Sequence, residues 1–142
     1  MYKKILIPLE NSKRDKVILN HIRPLAKLIH ASLILVHVAD GYVARLQPQL
    51  NLADSEEIKD DRNYLEAQKK HLIDEGFDVK AYLVCGEPPK EILKIVESEK
   101  CDLVAMATHG HRFFKDIFLG SVAENIRHRT DVPILMIRAG KK

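Results

Sequence analysis

Residues Leu103 to Asn125 read LVAMATHGHRFFKDIFLGSVAEN, and the fold turns on how this stretch divides. An apolar run of strand type opens it, Gly110 breaks it, and after nine further residues Gly120-Ser121 stands where a helix can begin. Strand, loop and helix N-terminus in that order is how α/β proteins commonly hold anions. The opening N–H groups of a helix lack intrahelical partners, and the helix dipole favours negative charge there. Ser121-x-x-Glu124 also has the form of a capping box, so Ser121 can start a helix without meeting a ligand. Gly110 and Gly120-Ser121 therefore either hold a phosphate or only turn a corner.

Upstream, Lys4 to Leu9 (KILIPL) and Ser32 to Val38 (SLILVHV) are nearly unbroken apolar runs, the pattern of strands covered on both faces. His37 interrupts the second run and reads as a core or strand-end histidine, with no partner evident. Between them, Ser12 and Asp15 resemble a capping box opening a helix from about Lys13 to Ile29, in which Pro24 predicts a kink or an early break. Ala39 to Ala53 reads as a long loop. A second helix starts at Asp54 or Ser55 and stops at Gly76, its many charges forming a solvated face. Asp78 to Val84 is a third strand, Pro89 to Ser98 a helix with proline in its first turn, and Cys101 to Met106 a fourth strand. Val122 to Arg129 forms the last helix and Ile134 to Arg138 the last strand, with Pro133 marking an edge or a strand start.

The alternation β-α-β-α-β-α-β-α-β predicts one domain: an open, mostly parallel five-stranded sheet with helices on both faces. In such sheets ligands sit beyond the carboxyl ends of the strands, here Leu9-Glu10, Val38, Val84-Cys85 and Met106-Ala107. An apolar edge such as ILMI invites pairing with a second copy, so a homodimer through Ile134 to Arg138 is expected.

Composition narrows the partners. The chain has 142 residues, 46% hydrophobic and 30% charged, with a net charge of +3, as ordinary globular domains do. Four Phe, four Tyr and no Trp give little material for stacking bases, so no nucleic-acid role is read. Ile5 to Leu9 is too short for a signal-peptide core or a membrane span, which gives the reading of a cytoplasmic protein without membrane contact. Cys85 and Cys101 have no metal-ligand spacing and read as free thiols. For His109-Gly-His111 no third ligand is evident, so no metal site is assigned.

The phosphate-binding P-loop, the dinucleotide glycine fingerprint after the first strand, and the serine hydrolase elbow are all missing. A phospho-acceptor receiver domain would need an aspartate where Val84-Cys85 stand. What remains is A-T-H-G-x9-G-S, Ala107 to Ser121. Together with the LVHV strand and the terminal VPILMI, it resembles the universal stress protein family, whose nucleotide-binding members carry G-x-x-G-x9-G-[ST]. The resemblance spans essentially the whole chain. It implies a Rossmann-like, adenine-nucleotide-binding fold and a site for ATP or a related adenine nucleotide, with Mg²⁺ as a companion. On that resemblance Val38 would meet the adenine through its backbone, while Pro8, Leu9 and Glu10 would flank the ribose and phosphates. Met106, Ala107, His109 and Gly110 would line the nucleotide; Gly120, Ser121, Val122 and Ala123 would face the phosphates. Ala107 occupies the position of the first motif glycine, and Glu10 that of an aspartate in many nucleotide-binding relatives.

The function expected is a stress-response protein that signals or protects through binding, acting on a protein partner that the sequence does not identify. No residue set offers a general base with an orienting partner, so any ATP hydrolysis or self-phosphorylation is expected to be slow. A dimeric interaction module that binds no nucleotide is the alternative from another class.

Overall fold

The computed structural model describes residues 1–39, 56–109 and 117–139. In chain order its elements are β1 (Lys4–Pro8), α1 (Arg14–Ile29), β2 (Ser32–Ala39), α2 (Glu56–Asp74), β3 (Val79–Cys85), α3 (Pro88–Glu99), β4 (Leu103–His109), α4 (Ile117–Arg127) and β5 (Ile134–Ala139). The strands form one parallel sheet in the order β3-β2-β1-β4-β5, with Pro8 opposite Val36, Leu6 opposite Val104 and Met106 opposite Met136. The chain first builds outward from β1 to β3, then crosses back to lay β4 and β5 on the other side. The strand order thus reverses between β1 and β4.

A strand in the middle of such a sheet has no wet face, which is why β1 and β2 read as continuous apolar runs rather than as alternating ones. Period-two geometry sends successive side chains to opposite faces. Ile5, Ile7, Leu9, Leu33, Leu35, Ala105 and Ala107 share a core with Ile18 and Ile22 of α1 and Leu65 and Leu72 of α2. Leu6, Ile34, Val36, Val38, Val104 and Met106 share the other with Ile92, Ile95 and Val96 of α3 and Val122, Ala123 and Ile126 of α4. Each fully buried Leu or Ile contributes about 1.5–3 kcal/mol, so these two layers carry the fold.

Three expectations need correction. Of the kink or early break expected at Pro24, the break does not occur: α1 runs through it to Ile29, where His30 closes the helix in a left-handed conformation. The last helix begins at Ile117, ahead of Val122, so Ser121 lies inside α4 and does not cap it. Its supposed capping partner, Glu124, instead pairs with Arg127 at 3.0 Å and His128 at 3.4 Å. Finally, α2 is not solvated at all its charges, because Asp61 is buried. After β3, Gly86 holds φ +147, where a Cβ would come within 2.8 Å of the Glu91 carboxylate, so glycine is required to lead into α3.

Candidate functional site

The carboxyl ends of β1 and β4, neighbours on either side of the reversal in strand order, are the place where open α/β sheets commonly hold ligands in a crevice. Of the residues expected there, Val38, Met106, Val122 and Ala123 are buried in the hydrophobic core on the α3–α4 face. Leu9 and Ala107 pack on the opposite, α1–α2 face. The Ala107 methyl is therefore enclosed in that core, only 2% exposed, and lies away from the face that carries Val122 and Ala123. Pro8 ends β1, His109 ends β4, and Gly120 and Ser121 lie within α4. Gly110, His111 and the 40–53 part of the expected loop lie outside the described residues.

The turn after β1 forms one wall, and it is built from hydrogen bonds. The Leu9 N–H donates to the Val36 carbonyl at 2.7 Å, continuing the β1–β2 ladder beyond the strand. The Asp15 carboxylate, buried in the first turn of α1, then accepts from the backbone N–H groups of Glu10 (3.0 Å), Asn11 (2.9 Å) and Ser12 (3.3 Å). The Tyr64 hydroxyl of α2 donates to the same carboxylate at 2.5 Å. Burial pushes the Asp15 carboxyl above its ordinary range, against the pull of Tyr64 and of the Glu10 and Ser12 N–H groups. Burial and the Asp15 bond raise the Tyr64 phenol as well.

This wall also sets Glu10. Its carboxylate accepts the Ser12 hydroxyl at 2.6 Å and lies 3.6 Å from the Arg14 guanidinium. The capping pair read from Ser12 and Asp15 is half met: Asp15 reaches back to the Ser12 N–H, while Ser12 Oγ accepts from Arg14 N at 3.2 Å.

Behind the wall lies what the sequence did not reveal. His37 has partners on both ring nitrogens: the Leu9 carbonyl is 2.8 Å from Nδ1 and an Asp61 carboxylate oxygen is 3.0 Å from Nε2. Asn11, left-handed at φ 61, donates its side-chain amide to Asp61 at 2.9 Å and Asp60 at 3.2 Å. The signal was present in the spacing, since Ile58, Asp61, Leu65 and Leu72 fall on the buried stripe of α2. A carboxylate on an apolar stripe needs a buried partner, and His37 is the polar residue inside the adjoining strand.

Both cysteines are free thiols, and burial pushes Cys101 up to about 11, which leaves it a poor nucleophile. Among the described residues no group of three or more His, Cys, Asp or Glu side chains is arranged to hold a metal ion. No helix among them is long and apolar enough to cross a membrane.

Comparison with known proteins agrees with this architecture. The model of the universal stress protein family matches residues 1–138. Universal stress protein MJ0577 of Methanocaldococcus jannaschii is 33% identical, over 97% of this chain and 96% of its own length. The solved structure of MJ0577 superposes with a TM-score of 0.83 at 35% identity, covering 100% of this chain and 99% of that one. A universal stress protein from Archaeoglobus fulgidus, solved in complex with dAMP, gives 0.69 at 19% identity, over 96% and 98% of the two chains. The crystal structure of a universal stress protein in complex with cAMP gives 0.69 at 16% identity, over 98% of each chain. At those last two identities the likeness is one of fold.

Proposed function

This chain belongs to the universal stress protein family, and from that premise we propose that it binds an adenine nucleotide in the crevice between β1 and β4. One observation carries the reading. The strand order reverses between β1 and β4, and at the carboxyl end of β1 the Glu10–Ser12 turn is fixed by hydrogen bonds to Asp15. Two proteins of the same fold were solved with dAMP and cAMP, which supports an adenine ligand.

ATP is the proposed physiological ligand, accompanied by Mg²⁺ on its phosphates. Val38 meets the adenine, Pro8, Leu9 and Glu10 the ribose side, and Met106, Ala107, His109 and Gly110 the body of the nucleotide. Gly120, Ser121, Val122 and Ala123 lie toward the phosphates. Binding reports metabolic state to a protein partner in the cytoplasm and is not coupled to fast turnover. The Asp15 carboxylate, the most deeply placed acid at the crevice, is taken up by four donors and so is a poor general base. The active species is a homodimer joined through β5, where Met136 at the sheet edge is 49% exposed. Sedimentation velocity should report twice the monomer mass.

The test is to denature freshly purified protein and assay the supernatant for released nucleotide. Adenine nucleotide should be recovered from the wild type and lost from Gly120→Val. Because Gly120 lies in α4, and glycine in a helix interior is less favourable than most residues by several tenths of a kcal/mol, the variant should keep its fold. Equal nucleotide content in both proteins would exclude α4 as the phosphate side.

A further inference from the structure

Consecutive backbone N–H groups, those of Glu10, Asn11 and Ser12, converge on one carboxylate at 3.0, 2.9 and 3.3 Å. Successive N–H groups in a turn curl toward a common point when a left-handed residue is set among right-handed ones, and the concavity they make binds anions. Asn11 supplies the left-handed residue, at φ 61. The concavity opens the N-terminal end of α1, whose dipole adds to its pull on negative charge. Phosphate is commonly held in such a place, yet here a side chain of the same molecule fills it. Asp15 is only 2% exposed.

Helix α2 secures the filling. The Tyr64 hydroxyl donates at 2.5 Å to the Asp15 oxygen that also accepts from Asn11 and Ser12, and the Asn11 side-chain amide reaches Asp61 at 2.9 Å and Asp60 at 3.2 Å. A ligand phosphate could use the turn N–H groups only by displacing Asp15. That carboxylate is tethered three residues beyond Ser12, and the tether holds it there at high effective concentration. A phosphate placed beside an undisplaced Asp15 would meet a like charge, with the Glu10 carboxylate adding a second.

We propose that Asp15 is a positioning and specificity residue: by filling the anion concavity of the β1–α1 turn with a carboxylate, it keeps ligand phosphates off this wall of the crevice. The wall is left to the uncharged sugar, and the phosphates are sent to the α4 side. A nucleotide that carries a further phosphate on its ribose is therefore rejected. The sugar and α4 half of this proposal rests on the adenine-nucleotide reading above; the filled concavity does not.

The experiment uses the full chain as wild type, Asp15→Ala and Asp15→Asn. Asp15→Ala empties the concavity and leaves its N–H groups in place. In thermal melts at one pH and ionic strength, exchanging chloride for formate should raise the melting temperature of Asp15→Ala by several degrees more than that of the wild type, which controls for general salt effects. The Glu10, Asn11 and Ser12 amide signals should move as formate is titrated into Asp15→Ala and stay still in the wild type. AMP and adenosine 2′,5′-bisphosphate, which differ by one phosphate on the ribose, are then titrated by calorimetry. The wild type should prefer AMP, and Asp15→Asn, which keeps the side-chain shape and removes the charge, should narrow that preference about tenfold. Formate that acts alike on wild type and Asp15→Ala, or turn amides of Asp15→Ala that ignore it, would overturn the filled concavity. A wild type that binds both nucleotides equally, or a preference unchanged in Asp15→Asn, would overturn the specificity role. Should Asp15→Ala fail to fold in either salt, the AMP-to-bisphosphate ratio decides. If the wild type binds no nucleotide, the adenine-nucleotide reading fails, and the formate response still decides what Asp15 fills.

Discussion

Two tyrosine–carboxylate pairs sit at opposite ends of the sheet. At the carboxyl ends of the strands Tyr64 donates to Asp15, and at the amino ends Tyr82 of β3 donates to Glu99 of α3. The chemistry is the same, but the surroundings differ. Asp15 is enclosed and binds three backbone N–H groups besides the phenol, so it holds a turn in shape. Glu99 faces Lys4, which is partly buried, and Lys80, which is largely open to water, each at 3.5 Å. Their protonation follows suit: burial drives Asp15 up, whereas the Tyr82 hydrogen bond, aided by the lysines, draws Glu99 down. Buried polar groups that fix backbone are concentrated at the end where a ligand is expected. The other end carries surface ion pairs and the more exposed Asp102 carboxylate, which accepts from the Lys3 and Lys4 N–H groups at 2.8 and 3.0 Å.

Deleting the carboxylates gives the largest contrast. Asp15→Ala leaves three partly buried N–H groups and the Tyr64 hydroxyl without their acceptor and should cost about 3 kcal/mol or more in denaturant melts. Glu99→Ala, whose partners can turn to water, should cost about 1 kcal/mol or less. Equal losses would remove the distinction between the two ends. A smaller contrast is expected from the phenols: Tyr64→Phe should cost about 1–2 kcal/mol, while Tyr82→Phe should stay below about 0.5 kcal/mol.

The finest contrast is in the sign of the pH dependence. The Asp15 carboxyl lies above its ordinary 3.8, so its contribution to stability is complete below that pH and is lost as pH rises through its folded value. The Glu99 carboxyl lies below its ordinary 4.5, so its contribution is complete above that pH and is lost as pH falls through its folded value. The stability of wild type relative to Asp15→Asn should therefore fall as pH rises, whereas its stability relative to Glu99→Gln should rise with pH. Relative stabilities that move in the same direction would contradict the assigned environments.

Much of the fold was legible because parallel strands and amphipathic helices imprint their periods on the sequence. Ile5 to Ile7, Leu33 to Val36 and the α1 stripe of Ile18, Ile22 and Ala26 could be read directly. The start of α4 was obscured by a competing signal: Gly120-Ser121 offers a break and a cap of its own, although Asp116, directly before Ile117, is also a preferred cap type. Pro24 misled because a proline's local cost was set against nothing, whereas in the fold both flanks of α1 are held by packing. Within the candidate site the backbone positions came from the family pattern, while the groups that hold them did not. Asp15 reads locally as a capping residue, and only the fold brings Tyr64 to it. His37 and Asp61 are separated by a long stretch of sequence, and nothing local marks them as partners.

The central claim is that an adenine nucleotide occupies the crevice between β1 and β4. Calorimetric titration of nucleotide-stripped protein with ATP and Mg²⁺ tests it most directly. Saturable binding of one nucleotide per chain, lost in Gly120→Val, is the predicted result; no heat of binding up to millimolar ATP, from a protein shown to be folded, would contradict it.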